Sequence, residues 1–155
     1  MKLFLLFFTA FTFFNCTKDS IDMQIYLYET GKKSKLDNKS LNLPEISGLL
    51  NSLIKNSDEF MRFYMDEDRF EYLQKEESAV EFVLEKETVI ISTRLGELKF
   101  KRVLIPLSGD FAGNEKSANI TFFIGDDKYF PEPISNKNGY SDLAKLKLEI
   151  EKAKK

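Results

Sequence analysis

An α+β fold, with an antiparallel sheet and helices packed on it, follows from three features of the 155-residue sequence. Ile46, Leu49, Leu50, Leu53 and Ile54 have the i, i+3, i+4, i+7, i+8 spacing of one buried helical face. Several stretches between residues 80 and 105 alternate apolar and polar residues with period two, as half-buried strands do. A second helical pattern, Leu143, Leu146 and Ile150, comes after the strands. A helix, a run of strands and another helix, without regular βαβ alternation, describes segregated layers rather than a parallel sheet.

The elements follow in order. Met23, Ile25 and Leu27 alternate with Gln24, Tyr26 and Tyr28, giving a strand over 22–29 that Gly31, Lys32, Lys33 and Lys35 break. Pro44 suits the first turn of the helix that carries Ile46 to Ile54, and Gly48 inside it costs about 1 kcal/mol relative to Ala. Residues 57–65 fit helix or strand: Ser57-Asp58-Glu59 is a helix start, whereas Phe60, Phe63, Tyr64 and Met65 suit a strand. A short helix is expected over 66–75, begun by Asp66.

Val80, Phe82 and Leu84 then form a strand, Glu85-Lys86-Glu87 a turn, and Val89-Ile90-Ile91 a second strand. Arg94-Leu95-Gly96 turns into a third strand, Leu98 to Ile105, which Pro106 ends because it has no donor for the ladder. Ser108 to Lys116 is a loop, and Asn119 to Ile124 a strand closed by Gly125-Asp126-Asp127. Pro131 and Pro133 force an irregular crossing, and Ser141-Asp142 caps the last helix. The expected architecture is an antiparallel β-meander of about four to five strands with a packed N-terminal helix and a C-terminal helix, the helices on one face.

Composition excludes several functions. The formal net charge is −2, so no global field draws the chain to nucleic acid. With no histidine, no tryptophan and one cysteine, the usual zinc, copper, haem and iron–sulfur ligand sets cannot be assembled, and neither can a histidine-based triad. No catalytic residue, metal ligand or cofactor is therefore assigned.

The N-terminal segment bears on destination. Lys2 precedes an apolar run, Leu3 to Phe14, which as a helix reaches only about 18 Å against a hydrocarbon core of about 30 Å. A basic start, a short apolar middle and the polar stretch Thr17-Lys18-Asp19-Ser20 describe a signal peptide over 1–15. Cys16 stands at the boundary and, as the only cysteine, has no disulfide partner in the chain.

From Lys2 to Cys16 the chain resembles a bacterial lipoprotein precursor, although Phe13 and Asn15 stand where the common lipobox has Leu and Gly, Ala or Ser. The resemblance implies that Cys16 is lipidated and becomes the mature N-terminus. Residues 16–20 would then be a tether and 21–155 a single α+β domain, attached to a membrane of the bacterial cell envelope and facing the periplasm or exterior. At about 0.8 kcal/mol per buried methylene, two or three acyl chains make such attachment close to permanent. An ordinary signal with an incidental cysteine, or a retained anchor, are the alternatives.

The remaining candidates are surfaces. The acidic stretch from Asp58 to Glu87 suits either a docking face for a basic partner or a solvated face. Asp66-Glu67-Asp68 lacks the ligand spacing of a calcium loop, and Ser108-Gly109-Asp110 is a common turn composition outside any Walker or Rossmann context. Tyr129, Phe130 and Tyr140 lie outside any periodic element, among Pro131, Pro133, Asn136, Asn138 and Gly139. Aromatics on loops either anchor a partner, offering large area at low entropic cost, or cover an end of the core. Of the two longest aperiodic segments, 106–118 and 125–140, the second is the preferred contact surface.

A helix packed on a meander is similar to the cystatin-like and related small α+β architectures that serve as inhibitors, immunity proteins and receptors, an analogy of fold alone. The leading expectation is a membrane-tethered, non-enzymatic protein-binding or inhibitory, immunity-like module with a protein partner. The alternative is an envelope hydrolase using carboxylates on a polysaccharide or peptide, although nothing marks out two of the 25 acidic residues.

Overall fold

The computed structural model describes residues 23–154; the leader, Cys16 and the tether lie outside the described residues. The strands are β1 (Met23–Glu29), β2 (Lys32–Lys35), β3 (Glu59–Phe60), β4 (Ala79–Ser92), β5 (Gly96–Pro106), β6 (Ile120–Gly125) and β7 (Ile134–Asn136). The helices are α1 (Leu43–Lys55), α2 (Glu67–Glu76) and α3 (Tyr140–Ala153). All seven strands join one antiparallel sheet in the order β2-β1-β4-β5-β6-β7-β3. The α+β class and antiparallel sheet are as expected, and the sheet is larger than the four or five strands expected.

The topology explains why helices cover both faces. From the edge strand β2 the chain crosses to the opposite edge, β3, through α1, then returns to the centre, β4, through α2. On one face Ile46, Leu49, Leu50, Leu53 and Ile54 of α1 and Leu143, Leu146 and Ile150 of α3 pack on Ile25, Phe82, Phe100 and Phe122. On the other, Leu73 of α2 packs with Tyr28, Ala79, Leu104 and Phe123, and the Phe70 ring meets Phe123 edge-on with centroids 5.1 Å apart. The helices are thus not confined to one face as expected.

Local signals account for most boundaries. Asn42 caps α1, its side chain accepting from Glu45 N, and Asp66 caps α2 by accepting from Arg69 N at 2.9 Å. The helix reading of Ser57 fails because its hydroxyl donates back to the Ile54 carbonyl, and the chain turns extended to pair Phe60 with Ile134. The N-cap of α3 is Gly139, not Ser141-Asp142. Asp142 is instead in the first helical turn, where it accepts a 2.7 Å bond from Ser52 on α1.

The expected turn at Glu85-Lys86-Glu87 is a bulge. Val83 pairs with Arg102 and Thr88 with Phe100, so four residues of β4 stand opposite the single Lys101. Three consecutive charged residues contain no glycine or asparagine to take up a tight turn, while the apolar positions of β5 continue past them and hold both arms of β4. Two strands escape the hydropathy pattern altogether. β2, Lys-Lys-Ser-Lys, is wholly exposed, and its lysines blunt the sheet edge against pairing with another chain. β7 is a single short stretch after Pro133. The prolines lack donors but keep their acceptors: Met61 N donates to the Pro133 carbonyl and Met65 N to that of Pro131, each at 2.8 Å.

Two residues, Thr30 and Gly31, join β1 to β2, both with positive φ, 48° and 75°. A two-residue hairpin loop of this kind favours Asn-Gly, and a β-branched residue in the left-handed region is strained. Thr30→Asn should therefore stabilise the domain by about 1 kcal/mol, read as a higher thermal midpoint. An unchanged or lower midpoint would show that Thr30 is not strained there.

Candidate functional site

The face under α2 carries a buried charge. The pleat of β4 sends Val80, Phe82 and Leu84 to the main core and Glu81 to the other face, between Tyr26 of β1 and Leu104 of β5, where it is only 1% exposed. Tyr28 Oη (2.8 Å) and Lys33 Nζ (2.7 Å) both donate to its Oε2, and Tyr129 Oη donates to Oε1. Arg102 Nε stands 3.9 Å from Oε1. Lys33 Nζ also lies 4.2 Å from the Tyr26 ring centroid, and the Arg102 guanidinium 5.4 Å from that of Tyr129.

Burial alone would raise the Glu81 carboxyl, but the bonds from Lys33, Tyr129 and Tyr28 outweigh it and hold the group below its ordinary value of 4.5. The same pair acts on Lys33: burial pulls the ammonium down, and Glu81 more than restores it. Tyr129 is pushed far up by burial and by the Glu81 charge. Held ionised by three donors, the carboxylate has its charge committed to holding neighbouring strands. Glu81 is a clamp joining β1, β2, β4 and the β6–β7 connection.

A second carboxylate on this side has the opposite surroundings. Glu77, at the C-terminal cap of α2, borders a hollow of about 330 Å³ between α2 and the loop after β5. Buried Met65 and Leu73 and the rings of Phe63, Tyr72 and Phe111 line it, with Arg69, Glu77 and Asp110 as its polar members. Phe63 and Phe111 stack with centroids 5.8 Å apart. The loop is pinned there: Leu107 N and Ser108 N donate to the Ser78 carbonyl, and Ser78 N donates to Ser108 Oγ. Gly109, at φ 76°, lets the backbone pass under the Glu77 carboxylate, whose atoms stand 2.3–2.4 Å from where a Cβ would be. Burial and the neighbouring Asp110 charge push the Glu77 carboxyl up.

The structure separates the three aromatic candidates. Tyr129 is turned inward, bonded to Glu81 and stacked on Phe70 at 5.2 Å. Phe130 is 43% exposed. Tyr140, at the start of α3, packs against the main core on the opposite face from Tyr129. The acidic stretch is likewise dispersed: Asp58 pairs with Arg94, Glu59 with Lys137, Glu67 with Lys128 and Glu71 with Lys75, while Glu81 is buried. Among the described residues no three His, Cys, Asp or Glu side chains come together as a metal site. Sequence reasoning missed the hollow, because residues from three separate segments line it and only their packing brings them together.

The two carboxylates give opposite pH dependence. Glu81, with its folded value lowered, contributes stability that is present above 4.5 and lost as the pH falls through the lower folded value. Glu77, with its folded value raised, costs stability as the pH rises from 4.5 through the higher value. Glu81→Gln should destabilise the domain by about 3 kcal/mol at neutral pH, an effect that shrinks in acid. Glu77→Gln should melt higher than the parent at neutral pH, and that gap should close on acidification. Thermal midpoints across an acid-to-neutral series check both.

No family model, no curated protein and no solved structure matches the chain.

Proposed function

We propose that the chain is a lipid-anchored protein of the bacterial envelope that works by binding another protein, through the aromatic surface around the hollow beside α2. The observation that carries this reading is the exposure of three large aromatic side chains on the segments that form and adjoin the hollow. Tyr64 is 66% exposed, Tyr72 63% and Phe130 43%. Tyr72 lines the hollow, Tyr64 lies between the lining residues Phe63 and Met65, and Phe130 precedes Pro131, whose carbonyl accepts from Met65 N. Exposed aromatics around a concavity have the composition and shape of binding hot spots.

The direction of the chain fits a tethered binder. Met23, seven positions after Cys16, pairs with Leu84 near one end of the paired β1–β4 region, whereas Glu77 and the hollow lie just before Ala79 at the other. That separation is about 17 Å at roughly 3.3 Å per residue of strand. A domain tethered through Met23 would thus hold the hollow away from the membrane. No helix among the described residues is long and apolar enough to cross a membrane.

Two measurements test the reading. Cys16→Ser should move the protein from the membrane to the soluble fraction; a variant that stays membrane-bound and uncleaved would make the N-terminal run an anchor. Capture of a partner from envelope extracts by the soluble chain should weaken by about 2 kcal/mol or more with Tyr64→Ala or Phe130→Ala, substitutions at exposed positions that leave the fold intact. Equal capture by all three would put the site elsewhere, and hydrolysis of an envelope polysaccharide or peptide by the purified protein would replace binding with catalysis.

A further inference from the structure

Glu77 is the electrostatic anomaly of the described structure. Two carboxylate oxygens are buried without a hydrogen bond, Asp126 Oδ1 and Glu77 Oε2. The first has Lys101 Nζ at 3.0 Å, whereas no cation lies within ion-pair distance of the second among the described residues. Three further features make the position unfavourable for an anion. The carboxylate is partly desolvated, it stands beside Asp110, and it caps the C-terminal end of α2, where the unpaired carbonyls carry partial negative charge. The nearest lining cation, Arg69, is eight positions away along the helix, about 12 Å at 1.5 Å per residue. It is turned instead to the Tyr64 carbonyl at 3.1 Å.

A partly buried charge kept without a partner is costly, and functional sites are where such costs persist. The surroundings define the missing cation. Two carboxylates alone make a poor cage for a metal ion, which takes more oxygen ligands. Aromatic rings, by contrast, suit a flat, weakly hydrated organic cation that stacks as well as pairs, and Phe63, Tyr72 and Phe111 supply them.

We propose that the hollow receives an arginine side chain of the partner protein, its stem against Phe63 and Phe111 and its guanidinium on the Glu77 and Asp110 carboxylates. The inference rests on the binding reading and specifies the partner's chemistry. An arginine there supplies the positive charge that the Glu77 carboxylate lacks, neutralises the like-charged pair and covers apolar surface with its methylenes.

The test uses the full chain, isotopically labelled, titrated by NMR with N-acetyl-arginine amide and, separately, with N-acetyl-citrulline amide, which has the same shape and no charge. Arginine amide should give saturable shifts at the amides of Glu77, Gly109, Asp110 and Phe111, weakened by added salt. Citrulline amide should bind about tenfold more weakly, as should arginine amide to Glu77→Gln. Asp110→Asn, at an exposed position, should weaken arginine binding without lowering the thermal midpoint, which separates loss of the site from loss of the fold. Equal binding of the two amides, or no saturable shift at these residues, overturns the inference. If that happens while Tyr64→Ala and Phe130→Ala still lose a captured partner, only the arginine assignment falls; if no partner is captured, the binding reading falls with it.

Discussion

Burying the Glu81 carboxylate in a central strand obliges distant parts of the chain to stay beside it. Tyr28 reaches it from β1, Lys33 from β2, Arg102 from β5 and Tyr129 from the connection between β6 and β7. A charge removed from water is tolerated only when donors replace the water, so each of these side chains is fixed by the same requirement. The clamp acts where packing is weakest. β2 buries none of its four residues, and the lysine that bonds Glu81 is what ties this edge strand to the face of the sheet. The segment before Phe130 has no regular structure, and Tyr129 anchors it between Glu81 and Phe70.

Glu77 and Glu81 stand four positions apart, at the end of α2 and the beginning of β4, and their environments differ because of the junction between them. After Ser78 the chain enters the sheet, where neighbouring strands surround Glu81 with donors. Glu77 remains on the helix end, facing a loop that offers it a glycine backbone and another carboxylate. One group rigidifies the α2 face of the sheet, and the other leaves an unmet demand for positive charge at that face's rim. The first makes the second possible, since the hollow keeps its shape only while α2 and the loop after β5 stay seated on that face.

The legible parts of the fold were those encoded within one element. The stripe from Ile46 to Ile54 became the buried face of α1, and Asp66 became the cap of α2, because periodicity and capping are local physics. What the sequence obscured depends on partners far away in the chain. β2 looks like a solvated loop until β1 pairs with it, and Glu85-Lys86-Glu87 looks like a turn until β5 is seen to hold both sides. Glu81 occupies the polar phase of an alternating strand and reads as a surface residue, since alternation does not reveal that α2 will cover the second face of the sheet. Tyr129 and Phe130 were indistinguishable as aromatics on a loop. Only the position of Glu81 decides which of the two turns inward.

The order in which the strands join the sheet has a kinetic consequence. β3 forms the far edge, yet its only strand partner among the described residues is β7, and the Asp58 carboxylate that accepts from Lys137 N waits for a residue 79 positions further on. The C-terminal end of α1 waits in the same way, with the Leu53 carbonyl bonded to Asn136 across 83 positions. As the chain emerges from the ribosome, its first half holds a helix destined to lie across a sheet most of which has not been synthesised. Closure across such sequence distances is slow. The late arrival of β7 therefore leaves the far edge of the sheet and the end of α1 without these bonds until synthesis has passed Lys137.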